Sequence, residues 1–165
     1  LNGENMKALI SLLLACAMLS GCATTYVGPH PDFTKTGPEA KAEYEKFEFG
    51  TGYGNLNLYG VKMGNKVYYR ESVDPIINAV SSTSTSKLQK MKTAEYVQWV
   101  IFAATIAAIF QPRDSWAYQT GYWIGLGALV GNGIYINVMG MKAAEDYNKD
   151  LKSKFSPALA FTKTF

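Results

Sequence analysis

The sequence predicts an α+β fold: a small β-hairpin region, then a C-terminal antiparallel helical hairpin that is transmembrane or membrane-associated. Three observations predict it. "VKMGNKVYYRE" sets Gly64-Asn65 between two alternating runs, the pattern of a tight hairpin. Two later segments, the 16 residues 96–111 and the 27 residues 115–141, carry no charge. Only "QPRDS" separates them, and so short a connection makes two helices antiparallel neighbours.

Residues 1–21 read as a cleaved signal peptide. Met6-Lys7 precedes "ALISLLLACAML" and "SGC". That is a positive start, an apolar core of about a dozen residues and a small-residue exit. The run is too short for a span, which needs about 20 apolar residues. "LNGEN", 1–5, has no place in such a signal and is read as non-native or mis-started. Residues 22–37 read as a tether, because "ATTYVGPHPDFTKTG" mixes proline, glycine and threonine without an apolar period.

Residues 38–80 form the small α+β region. "GPEAKAEYEKF" begins a helix, with Pro38 at its first position and Glu39 at the positive end of its dipole. Glu43, Glu45 and Glu48 are too scattered around that helix for paired acid chemistry and are read as solvated. Strands are expected near 56–63 and 66–71, and 47–49 is a candidate third strand. "GTGYGN" is not a nucleotide loop: Asn55 stands where the dinucleotide fingerprint needs its third glycine, and no Lys-Ser/Thr pair comes after it. "SVDPIINAV" reads as a short helix capped by Asp74, with Pro75 first. "SSTSTS", 81–86, is a polar joint: a hinge, or the cap of the next segment.

Residues 81–146 hold the apolar helical hairpin. The first helix, 96–111, spans about 24 Å, short of a hydrocarbon core of about 30 Å. The second covers about 40 Å. Apolar residues lie on every face, as in a helix buried in a large protein or in lipid. Ala103 and Ala107, Ala104 and Ala108, Gly121 and Gly125, and Gly127 and Gly131 are each four apart, a spacing that lets helix backbones approach closely. Trp116, Tyr118, Tyr122 and Trp123 crowd one end and Tyr96 with Trp99 the other, as at membrane interfaces. Asn132 and Asn137 need partners, across the hairpin or between protomers. Residues 147–165 are the C-terminal tail; its end, "KFSPALAFTKTF", has Leu159, Phe161 and Phe165 at even spacing and reads as a terminal strand or a disordered tail.

The totals narrow the function. A net charge of +3 is too mild to indicate nucleic acid. One histidine, His30, leaves almost nothing for a triad or a His/Cys metal site, so no catalytic residue, metal or cofactor is expected.

Leu19-Ser20-Gly21-Cys22 resembles the lipobox of bacterial lipoproteins. Cys16 is the weaker match, because Leu14 stands where a smaller or β-branched residue is usual. The resemblance covers only the head of the chain. It implies a diacylglycerol on the Cys22 thiol, cleavage just before Cys22 and acylation of the new amino terminus. Stable anchoring takes more than one acyl chain, which that pattern supplies. Ala23 comes next; in enteric-type lipoproteins an Asp there retains the protein at the inner membrane, so the outer membrane is favoured. The glycines also resemble, weakly, the glycine zippers of some outer-membrane lipoproteins, but Asn132 interrupts the repeat and that family is not carried over.

The expectation is a non-enzymatic, lipid-anchored lipoprotein of the cell envelope with a structural, scaffold or accessory-subunit role. Its partners would be membrane lipid and a second copy or a membrane complex. The alternative is a periplasmic binding module presenting Tyr53, Tyr59, Tyr68 and Tyr69 to a ligand, the cell wall or a protein. One conflict stands. Lys87, Lys90 and Lys92 before the hairpin, and Lys142, Lys149, Lys152 and Lys154 after it, would by the positive-inside rule be cytoplasmic. A lipidated Cys22 lies outside the cytoplasm. The signal is the more specific motif, so the flanks are expected on the periplasmic side, near anionic head groups or a partner.

Overall fold

The computed structural model describes residues 23–56 and 60–160, with side chains to Ser156. The elements run α1 (Gly37–Phe47), β1 (Gly60–Met63), β2 (Lys66–Tyr69), α2 (Arg70–Val80), α3 (Ser82–Ile109), a π turn at Ala117–Gly121, and α4 (Tyr122–Ala160). The fold is thus a two-stranded β-hairpin with short helices, followed by a long antiparallel helical hairpin. Leu19, Ser20, Gly21 and Cys22 lie outside the described residues, as do Tyr59, Phe161 and Phe165.

β1 pairs β2 from Gly60↔Tyr69 to Met63↔Lys66, which leaves Gly64-Asn65 as the two-residue loop. Gly64 has φ +55°, the positive first position of a hairpin turn whose twist matches its strands. The strands are shorter than the sequence suggests. Arg70 and Glu71 already belong to α2, four residues before the expected cap at Asp74, and Pro75 sits inside that helix. The cause is tertiary. Arg70 is buried and forks onto Glu95 of α3, with Nη2 3.3 Å from Oε2. The candidate third strand at 47–49 is a single antiparallel bridge, Phe49↔Met63.

The polar joint is a cap. Ser81 Oγ accepts from the Ser84 backbone N–H at 3.1 Å, and α3 starts at once. Of the stretch 154–165 expected as a strand or a disordered tail, residues 154–160 are instead helix, because α4 continues to Ala160, and 161–165 lie outside the described residues. Ala143, Ala144, Tyr147, Leu151 and Phe155 recur at helical spacing and are fully buried. That period outweighs the even spacing of the last few apolar residues.

These α4 residues close one core with the small region. Tyr147 stacks on Phe49 at 3.9 Å between ring centroids. Asn148 pairs with the Phe49 backbone like a neighbouring strand: its Nδ2 donates to Phe49 O at 2.7 Å and its Oδ1 accepts from Phe49 N at 2.8 Å. Gly140 lies against the Leu56 backbone so closely that a Cβ there would sit 3.1 Å from the Leu56 carbonyl carbon.

The segment read as a tether packs on this body. Thr24 bridges Tyr68 in parallel, Tyr26 meets the Tyr68 ring edge-on at 5.2 Å, and Phe33 lies 5.0 Å from Phe155. Its aromatics supply a contact surface that a search for periodicity overlooks. Lys35 Nζ reaches Glu43 Oε2 at 2.7 Å, so Glu43 is buried and paired rather than solvated.

Candidate functional site

Beyond Ala94, α3 and α4 leave the body and run as a pair. Near the body, Ser84 Oγ donates to Ala143 O at 2.8 Å. Further out, Asn132 Nδ2 donates to Ala94 O at 2.9 Å and to Gln98 Oε1 at 2.6 Å. Gln98 Nε2 reaches Leu129 O at 3.4 Å. Asn132 therefore bonds across the hairpin, whereas Asn137 bonds within its own helix, to Gly133 O.

Nearer the tip the seam narrows. Thr105 packs against Gly125, where a Cβ would lie 3.0 Å from the Thr105 Cβ and closer still to its hydroxyl. Thr105 Oγ1 is satisfied by Ile101 O at 2.8 Å. Gly121 faces Ala108, with 3.6 Å from the glycine's virtual Cβ to the alanine Cβ. So the seam uses Ala108, Gly121 and Gly125. Ala103, Ala104, Ala107, Gly127 and Gly131 are exposed, and nothing lies within 4 Å of a Cβ at Gly127 or Gly131. The small residues thus split between an inner seam and an outward surface. Sequence spacing could not separate the two sets, because Thr105 takes the centre of the seam.

The outer pair is inverted. Between residues 96 and 135 only Thr105 is buried. Tyr96, Trp99 and Val100, then Phe110, Trp116, Trp123, Ile124, Val130 and Ile134, are all more than half exposed. Gln98, Thr105 and Asn132 bring polar groups to the seam, while many of the large apolar side chains face outward and others, such as Ile106 and Leu126, are half-buried. α4 with its preceding π turn, Ala117–Ser156, is long and apolar enough to cross a membrane by length and composition, and 11% of its most apolar stretch is buried. Aromatic residues mark both ends: Tyr96, Trp99 and Tyr135 near the body, Phe110, Trp116 and Trp123 near the tip.

The charged border lies on the body side. Arg70–Glu95, Lys92–Asp74 at 2.7 Å and Lys87–Asp146 are ion pairs. The last charges before the apolar surface are therefore internally neutralised, while Lys90 and Lys142 are exposed. Arg113 and Asp114 are exposed at the tip.

Among the described residues no group of three or more His, Cys, Asp or Glu could hold a metal. Of the tyrosines considered for a binding face, Tyr53 and Tyr69 are exposed and Tyr68 is half-buried against Tyr26. The Tyr44 phenol is pushed up to about 12 by burial and by its hydrogen bond to Glu48, and burial raises Tyr147 further. Two polar residues of the seam, Gln98 and Thr105, escape a reading that asks only for small residues and for the asparagines. Counting out from the "QPRDS" turn, 17 residues each way, sets Ala94 opposite Asn132, which bonds its carbonyl. Comparison with protein-family models, with curated proteins and with solved structures gives no match.

Proposed function

We propose that the protein is a lipid-anchored, non-enzymatic lipoprotein of the bacterial cell envelope whose helical hairpin inserts in the membrane. Its role is structural, as a scaffold or accessory subunit. The inverted outer hairpin carries this reading: polar groups in the seam, large apolar residues outside. In water that arrangement leaves apolar area exposed at about 25 cal/mol per Å². In lipid it is the stable one, because packing and interhelical hydrogen bonds join the helices there. The short first helix suits a thin bilayer, and the outer membrane, already favoured by Ala23, is thinner than average. The outward small residues Ala103, Ala104, Ala107, Gly127 and Gly131 then supply a contact surface for a second copy or another membrane helix.

The test removes the anchor and leaves the hairpin. A Cys22→Ala protein expressed without residues 1–21 is expected to need detergent to stay in solution. If it is soluble and monomeric in buffer, the inserted hairpin is wrong. Intact-mass spectrometry of the membrane fraction tests the anchor by itself: the expected chain begins at Cys22 and carries acyl mass.

A further inference from the structure

Ala23 and Thr24, the first described residues, lie against the β-hairpin. Thr24 N donates to Val67 O at 3.1 Å, and Tyr69 N donates to Thr24 O at 2.8 Å. Tyr26 N then donates to Ser72 Oγ at 2.9 Å. The first two described residues are thus held at the C-terminal end of β2. In the sequence, Ala23 directly follows the cysteine that the lipobox resemblance marks for acylation.

Two independent series of contacts show which way that end of β2 points. Along α2 and α3, Arg70 meets Glu95, Asp74 meets Lys92 and Asn78 meets Thr85. The start of α2, next to Tyr69, is therefore level with Glu95, the last charge before the apolar surface. Along β1 and α4, Phe49, which bridges Met63, meets Tyr147 and Asn148. Leu56, which bridges Val61, meets Gly140. Moving from Met63 towards Gly60 therefore moves along α4 towards the apolar half. Gly60 pairs with Tyr69, and a Cβ on Gly60 would lie 3.8 Å from that of Ala23. Both series put Ala23 at the face of the body from which the apolar hairpin emerges.

We infer that the acyl attachment point and the root of the hairpin share one face, so that the acyl chains and the hairpin enter the bilayer from the same side. The occupant of that face is a lipid leaflet, and the inference rests on the membrane-inserted reading above. With Thr24 fixed two residues after Cys22, no slack linker separates the body from the lipid. The body sits on the head groups, with Tyr69 and Lys90 near them and the far end of α4, about 30 Å further along the helix at Lys152, in water. The lysine flanks then fall on the anchored side, as the signal requires and against the positive-inside tendency.

The test uses the full-length lipidated protein in vesicles of phosphatidylethanolamine and phosphatidylglycerol. Spin labels are placed at Tyr69→Cys, Lys152→Cys, Ile124→Cys and Val130→Cys, all at exposed positions. Collision with a water-soluble nickel relaxant is expected to be several-fold weaker at 69 than at 152, and collision with oxygen strong at 124 and 130. If 124 and 130 lie in lipid but 69 and 152 are equally open to nickel, the shared face is wrong and insertion stands. If 124 and 130 are open to nickel, insertion itself fails and the inference falls with it.

Discussion

The two halves of the helical hairpin share a backbone but not a pattern of burial. In the half near the body, α4 buries Ala143, Ala144, Tyr147, Leu151 and Phe155 and turns Lys142, Glu145, Lys149 and Lys152 outward. In the outer half the same pair of helices buries Thr105, partly covers Gln98 and Asn132, and exposes Trp, Ile and Val. The first pattern is that of a helix on a protein core in water. The second departs from it, with a polar residue as its one buried side chain and large apolar residues exposed, within one continuous helix and without a proline to mark the change. The boundary is chemical: it falls where the ion pairs of Arg70, Lys92 and Lys87 stop. One continuous helix thus carries two burial patterns, and the change between them coincides with the last charge.

The sharpest way to break this comparison is to truncate one large residue in each half. Phe155→Ala removes a fully buried ring that meets Phe33 and Tyr44. It should cost about 3–5 kcal/mol of unfolding free energy. Val130→Ala, on an exposed position, should stay within about 0.5 kcal/mol. Denaturant unfolding of the detergent-solubilised protein measures both. A large loss at Val130 would mean that the outer half has an interior of its own.

A smaller effect separates the seam from the outward surface. Gly125→Leu drives a side chain into Thr105 and should cost about 1–3 kcal/mol, the usual range for overpacking. Gly131→Leu meets open space and should leave the fold unchanged while altering self-association. Unfolding curves read the first outcome, and cross-linking or analytical ultracentrifugation in detergent reads the second. Equal destabilisation by both would place Gly131 in the seam after all.

The sequence made the two-residue hairpin loop, the antiparallel long helices and the uncharged stretch legible, because each rests on local pattern or length. It hid whatever depends on distant partners. α2 begins at Arg70 because Glu95 lies 25 residues later. Glu43 is buried because Lys35 folds back over it. The tail beyond 147 looked featureless at its end, yet the helical period from Ala143 to Phe155 was there to be read. Of the proposed packing residues, spacing found Gly121, Gly125 and Ala108. It could not tell them from Gly127 and Gly131, because four-residue spacing says that residues share a face but not which face turns inward.

The smallest effect concerns the body half alone and is a matter of pH. Tyr147 is fully buried, and its hydroxyl has no hydrogen-bond partner among the described residues. Burial disfavours the phenolate, so its pKa is raised above the ordinary value of 10.0. In the unfolded chain the phenol ionises near that ordinary value. Below it both states hold the proton and stability is unaffected. Above it the unfolded state releases a proton that the folded state keeps, so stability falls as pH rises towards the raised value. The slope is at most about 1.4 kcal/mol per pH unit from this one group. Tyr147→Phe keeps the stack on Phe49 and removes both the ionisable group and an unpaired buried hydroxyl. It should be neutral to slightly stabilising at pH 7, and its unfolding curves should lose less stability than the parent protein between pH 10 and 11. A variant clearly less stable at pH 7 would show that the hydroxyl has a partner, and the body half would then hold a buried polar contact of the kind that marks the outer seam.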